Sequence, residues 1–181
     1  MRFDSPLSGF PDKDLPFSDG TLSQRCFRAA APSRILNRMN PPPHSEPLTI
    51  LVLEDSPLIG SRLARMLRPM KEVELLASAR EPRAALLAAL ILLPDVVILG
   101  LHAHGESGPS TLRELARMRR RAVVVVLSNC AVPPMREAYM QAGATYFFDK
   151  TMEFDALRAT LLRLAAEKKA LQQAGLENAV A

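Results

Sequence analysis

The stretch Pro94–Gly108, PDVVILGLHAHGESG, decides how this chain folds. Val96, Val97, Ile98 and Leu99 are apolar at four consecutive positions, so no face is left for water. Such a run is the mark of a strand covered on both sides, as in a parallel sheet with helices on each face. Pro94 ends whatever helix comes before it, and the strand runs out through Gly100 into a polar loop containing His102, His104, Glu106 and Ser107.

Working outward, short apolar runs alternate with amphipathic stretches. Leu48–Leu53 is a continuous strand-length run, Glu72–Leu76 a short second strand, and Val123–Leu127 a buried strand rich in β-branched residues. Tyr146–Phe148 is the fifth. Between them the spacing predicts helices. Ser56 is an N-cap ahead of Pro57 at the first helical position, and Leu58, Ile59, Leu63, Met66 and Leu67 follow at helical intervals. Glu81–Leu92, Thr111–Met118 and Pro134–Ala142 are the next three, with Gly143 suited to the position after the last. Thr151 is placed to cap a final helix with Phe154, Leu157, Leu161 and Leu164 on one face, and Glu153 and Asp155 suit its N-terminal dipole. Five strands alternating with five helices imply right-handed crossovers and an α/β fold with a parallel sheet, whose ligands bind outside the carboxyl ends of the strands.

Residues 1–47 differ in kind. Pro6, Pro11, Pro16, Pro32, Pro41, Pro42, Pro43 and Pro47 remove amide donors and break apolar runs. Such a segment cannot bury enough surface to offset its ordering entropy and reads as a disordered extension, with a weak helical pattern over Arg25–Arg38. Met39 is an alternative natural start. The organisation expected is therefore 1–47 extension, 48–167 folded domain, and 168–181 the end of the last helix and tail.

Composition excludes several classes. The longest apolar stretch, Ala84–Leu93, is far short of the ~20 residues of a membrane span. No apolar h-region opens the chain, so no secretory signal is read. Cys26 and Cys130 fall in different segments, which fits a reducing cytoplasm better than a disulfide. The net charge of +4 is too small to indicate nucleic acid. Arg117, Arg119, Arg120 and Arg121 form a basic cluster before the fourth strand, more in keeping with a solvated turn than a polyanion site. No phosphate-cradling glycine loop follows the first strand, where EDSPLIG stands, which speaks against a small-molecule-binding or enzymatic flavodoxin-like domain.

The chemistry-bearing residues all lie at the carboxyl ends of strands. Glu54 and Asp55 follow the first, Gly100 ends the third, Ser128 follows the fourth and Lys150 the fifth. An adjacent acidic pair needs a cation or a lysine beside it and suits Mg²⁺, which binds through one or two carboxylates and keeps several waters. Each motif alone is also what a helix cap, a turn serine or a surface lysine would look like.

In this order VLEDSP, VVLSN and YFFDKT resemble the receiver domain of bacterial response regulators (CheY-like), over about residues 48–167. The resemblance implies a flavodoxin-like (βα)5 doubly wound sheet of strand order 2-1-3-4-5. It implies Mg²⁺ at Glu54 and Asp55, phosphoryl contacts from Ser128 and Lys150, and a switch aromatic at Phe147. An aspartate in the third loop normally accepts phosphate from a histidine kinase, and Gly100 stands at that position. Thr151 stands where a proline usually follows the lysine.

A receiver without its acceptor is expected to act in two-component signalling by protein contacts, with no catalytic activity. No cofactor is then required, and Mg²⁺ binds weakly at most, because Lys150 is expected to lean toward Glu54 or Asp55. The expected partners are a histidine kinase or a downstream effector. The face bearing Met135, Tyr139, Met140 and Phe147 is the family's docking surface, though Met140 suits the core equally well. Neither a membrane nor DNA is expected, and homodimerisation stays open. An unusual acceptor such as His102 or Ser107 is the rival reading. Gly100→Asp is expected to restore Mg²⁺ affinity, and to cost the fold little if the backbone there is extended.

Overall fold

The computed structural model describes residues 46–101, 107–118 and 122–180. The extension read over residues 1–47 falls outside them except for its last two positions. So do His102, His104, Glu106 and Arg119–Arg121.

Strand β1 (Leu48–Leu53) is followed by helix α1 (Pro57–Leu67), β2 (Val73–Ala79), α2 (Pro82–Leu92) and β3 (Val96–Leu101). Then come α3 (Ser107–Arg117), β4 (Val123–Ser128), α4 (Pro133–Gln141), β5 (Tyr146–Asp149) and the long α5 (Phe154–Val180). The strands form one parallel sheet in the order β2-β1-β3-β4-β5. This is the doubly wound arrangement expected, with strand order 2-1-3-4-5.

Two apolar layers sandwich the sheet. On one face α2, α3 and α4 cover Leu51, Leu53, Val97, Leu99, Val124 and Val126. On the other, α1 and α5 cover Ile50, Val52, Val96, Ile98, Val125 and Leu127. Alternate residues of the same strands thus serve opposite cores, which is why their sequences are apolar throughout. Each side chain of this size stabilises the fold by about 1.5–3 kcal/mol through burial.

Local signals set most element ends. Ser56 Oγ accepts from the Ile59 amide at 3.4 Å and caps α1 with Pro57 in its first turn. Gly143 has φ 112°, open to glycine at no steric cost, and a Cβ there would lie 3.0 Å from the Ala116 methyl. Three of the differences from the sequence reading have a local cause. Strand β2 runs on to Ala79, because the small residues Ala77, Ser78 and Ala79 pair with Leu51, Val52 and Leu53 beyond a bulge between Ile50 and Leu51. Helix α3 starts at Ser107, before the expected Thr111, since a first turn tolerates Gly108 and Pro109. Thr151 does not cap α5. Asp149 Oδ1 takes the amides of Thr151 (2.6 Å) and Met152 (2.9 Å), and the helix begins at Phe154.

Candidate functional site

The carboxyl edge of the sheet brings together Glu54, Gly100, Ser128 and Lys150. β1 pairs in register with β3, Leu53 opposite Leu99, so Glu54 and Gly100 are the next residues out on neighbouring strands. β3 places Gly100 beside Leu127, and β4 sets Ser128 beside Asp149. The Lys150 amide then donates to Ser128 O at 2.9 Å, extending the ladder by one step.

At the centre is a buried ion pair. Lys150 Nζ lies 2.8 Å from Glu54 Oε2, with side chains 1% and 0% exposed. Glu54 Oε1 accepts from the Ser56 amide at 3.0 Å. Apart from each other, neither Glu54 Oε2 nor Lys150 Nζ has a hydrogen-bond partner among the described residues. Mutual charge is therefore what compensates their burial. Removal from water pushes the Glu54 carboxyl above the usual carboxylate range, against the pull of Lys150 and the Ser56 amide. Of the two acids expected to take the lysine, Glu54 does so. Asp55 is exposed, and its backbone carbonyl accepts from Arg80 Nη2 at 3.3 Å.

Ser128 is buried, but its hydroxyl is turned into its own turn. It accepts from the Cys130 amide at 3.1 Å and faces the Cys130 carbonyl at 3.2 Å. Phe147 is buried in the core beside Tyr139, with ring centroids 6.0 Å apart. The Arg136 guanidinium lies 5.2 Å over the Phe147 ring and donates to the Phe147 carbonyl at 2.9 Å. Tyr139 is buried and Met135 half-buried, whereas Met140 is exposed. The alternative of a core role for Met140 is thereby removed, because its position on α4 faces away from the sheet.

Gly100 departs from expectation. Its φ lies outside the left-handed range, so the backbone alone would admit another residue. A Cβ there would meet Glu54 Oε2 at 2.0 Å, Glu54 Cδ at 2.7 Å and Leu53 O at 3.2 Å, so the end of the Glu54 side chain would have to leave its place beside Lys150. The expectation that Gly100→Asp costs the fold little is corrected on that ground.

Sequence reasoning missed two arginines. Arg62 of α1 donates to Lys150 O at 3.4 Å and stacks 3.8 Å over the Phe154 ring, tying α1 to the corner between β5 and α5. Arg136 bridges Phe147 to Glu153 Oε2 at 3.1 Å, and Glu153 in turn accepts from the Asp149 amide at 2.6 Å. No short-range pattern marks either residue. Thr151, standing where a proline is usual in the resembled motif, supplies an amide to Asp149 that proline would lack.

The family model for the response regulator receiver domain matches residues 50–162. The response regulator GacA of Pseudomonas aeruginosa is 30% identical over 103 residues, which is 57% of this chain and 48% of that protein. A protein-glutamate methylesterase/protein-glutamine glutaminase of Koribacter versatilis is 31% identical over 123 residues, 67% of this chain and 33% of that protein. The chain spans about half or less of the length of these two relatives. Among solved structures, the receiver domain of the putative response regulator NarL from Mycobacterium tuberculosis superposes with a TM-score of 0.61 at 24% identity, covering 67% of this chain and 98% of that one. Among the described residues, no helix is long and apolar enough to cross a membrane.

Proposed function

The chain belongs to the response regulator receiver domain family, and from that membership we propose that it is a signalling module that works by protein contacts and takes up no phosphoryl group. The observation that carries this reading is Gly100 at the carboxyl end of β3, beside Lys150's partner Glu54 and without a nucleophile of its own. Phosphoryl capture needs a carboxylate exposed to the donor. Glu54 is fully buried and bound to Lys150, while Ser128 bonds within its own turn. The role of Gly100 as the acceptor position comes from the motif order, and those of Ser128, Lys150 and Phe147 follow with it.

The donor set of this pocket does not suit Mg²⁺. Both oxygens of Glu54 are engaged, one by a lysine ammonium that a divalent cation would have to displace, and Gly100 offers no carboxylate. Signalling then runs through the surface of α4 and β5, toward a histidine kinase or an effector protein in the cytoplasm, with no catalysis by this domain.

Incubation with acetyl phosphate and Mg²⁺, read by intact mass, tests the proposal. No phosphoryl adduct is expected. A stoichiometric adduct released by hydroxylamine identifies an acyl phosphate and overturns the reading. An adduct located by peptide mapping at His102 or Ser107 supports the unusual-acceptor alternative instead.

A further inference from the structure

Helix α2, PRAALLAALIL, carries a single charged residue, Arg83. Ala85, Ala88, Ala89 and Leu92 are its buried side, packed over β1 and β2. Its outer side is Arg83, Leu87, Leu90 and Ile91, with Ala84 half-buried beside them. Leu87, Leu90 and Ile91 are 51%, 58% and 43% exposed. Helix α3, its neighbour on the same face of the sheet, exposes Ser110, Arg113, Glu114 and Arg117 instead. A helix that is apolar all round is ordinarily a covered one, and an exposed apolar patch on a small domain marks a contact site.

We propose that this face pairs with the same face of a second copy of this chain, the two α2 helices running antiparallel about a twofold axis at Leu87. Symmetry and charge both select a second copy. The outward positions 83, 84, 87, 90 and 91 are arranged evenly about 87. Antiparallel pairing therefore sets Leu87 against Leu87, Ala84 against Leu90 and Arg83 against Ile91, and a small residue meets a large one on each side of the axis. Arg83 lies in the first turn, where a cation opposes the helix dipole, and it has no ion pair or hydrogen bond among the described residues. The last turn of α2 holds no basic residue. In the pair, each Arg83 comes to the C-terminal end of the other copy's helix, where a cation is favourable. No acidic side chain lies on this face to select a basic partner. Three large apolar side chains from each copy form only the centre of an interface, short of the roughly 1,000 Å² of a firm one, so the pair is weak and reversible. Helix α4 packs on β5, at the other side of the sheet from β1 and β2. Each copy thus keeps its α4 and β5 surface open, and the dimer presents two of them.

Sedimentation of the full chain from about 1 μM to about 1 mM tests the pairing, and a shift from monomer to dimer is expected within that range. Leu87→Lys and Leu87→Glu each place like charges on the axis, and each should lower the association constant by about a hundredfold or more. Mixed in equal amounts, the two variants should associate with each other, because opposite charges then meet. Only pairing of position 87 with itself predicts that rescue. Arg83→Gln should weaken association by about three- to thirtyfold, through loss of two symmetric contacts with helix C-termini. Circular dichroism establishes that each variant is folded. If an axis variant fails to fold, Leu90→Lys, which faces Ala84 in the same pairing, must lower association in its place. A chain that stays monomeric throughout overturns the proposal and hands the face to a different protein or to residues 1–45. A dimer indifferent to Leu87→Lys, or a mixture that does not associate, overturns it equally. Neither Gly100 nor the Lys150 pair enters this test, so its outcome is separate from that of the acetyl phosphate experiment.

Discussion

Two lysine–carboxylate pairs sit at opposite ends of the same sheet and behave in opposite ways. At the carboxyl edge, Lys150 and Glu54 are sealed, with almost no polar help, and the acid's pKa is pushed up. At the amino edge, Lys168 of α5 meets Asp95 at 2.7 Å with side chains 19% and 21% exposed, and also donates to Pro47 O at 2.8 Å. Asp95 Oδ2 takes the amide and the hydroxyl of Thr49 as well, at 2.9 and 2.7 Å. Burial pushes Asp95 up too, but Lys168 and the two Thr49 bonds together hold it below the usual carboxylate range. The number of donors around the acid, more than the presence of a lysine, decides whether the charge is at ease.

Breaking each pair from the lysine side should separate the two most widely. Lys150→Met leaves Glu54 buried and uncompensated, and the expected loss is about 3–5 kcal/mol in urea unfolding at pH 7. The loss should shrink as pH falls and Glu54 is neutralised. Replacing both partners, Glu54→Leu with Lys150→Met, should recover most of the loss, because an apolar pair of similar volume carries no desolvation cost. A double variant no better than the single one would mean the pair contributes more than its own charge.

The two acids should also separate along the pH axis. The folded-state pKa of Asp95 is depressed, so its contribution is present above the ordinary aspartate value of 3.8 and is lost as pH falls through the lower folded value. That of Glu54 is raised, so its contribution is complete below the ordinary glutamate value of 4.5 and is lost as pH rises through the higher folded value. Between neutrality and about pH 4.5, protonation of Glu54 should therefore add stability, and below 3.8 Asp95 should subtract it. Melting temperatures across this range are expected to show the rise in wild type and lose it in Glu54→Gln. The acid-side fall should flatten in Asp95→Asn.

The contrast between the two edges also marks what the sequence could tell. The fold was legible because Val96–Leu99 and Val123–Leu127 are apolar throughout, and that pattern needs only local neighbours to interpret. The pocket's members were legible too, since Glu54, Gly100, Ser128 and Lys150 each end a strand and parallel strands bring their ends together. What each side chain does there was not legible. Lys150 faced two adjacent acids, and the one chosen depends on which of them turns inward at the end of β1. Arg62 and Lys150 are 88 positions apart, and no periodicity links them. The obstruction at Gly100 comes from a neighbouring strand, so a reading of strand propensity underestimated the cost of adding a side chain. At the amino edge no local pattern marks Asp95. Its role as the knot joining β1 to α5 appears only once Lys168 is brought to it across 73 positions.

The smallest expected effect sharpens the comparison through salt. Lys168→Met should cost about 1 kcal/mol at low ionic strength, because Thr49 still satisfies Asp95 and the site is partly open to water. Raising KCl from 0.05 to 1 M shortens the screening length from above 10 Å to about 3 Å. The stability difference between wild type and Lys168→Met should then narrow by a few tenths of a kcal/mol, since the exposed share of that attraction is screened. The difference between wild type and the Glu54→Leu, Lys150→Met double variant should stay constant over the same range, because counterions do not enter a site that excludes water. Differential unfolding of the three proteins at the two salt concentrations measures both quantities. A salt-sensitive Lys150 pair would show that water reaches the carboxyl edge, and the elevated Glu54 pKa would then need a cause other than burial.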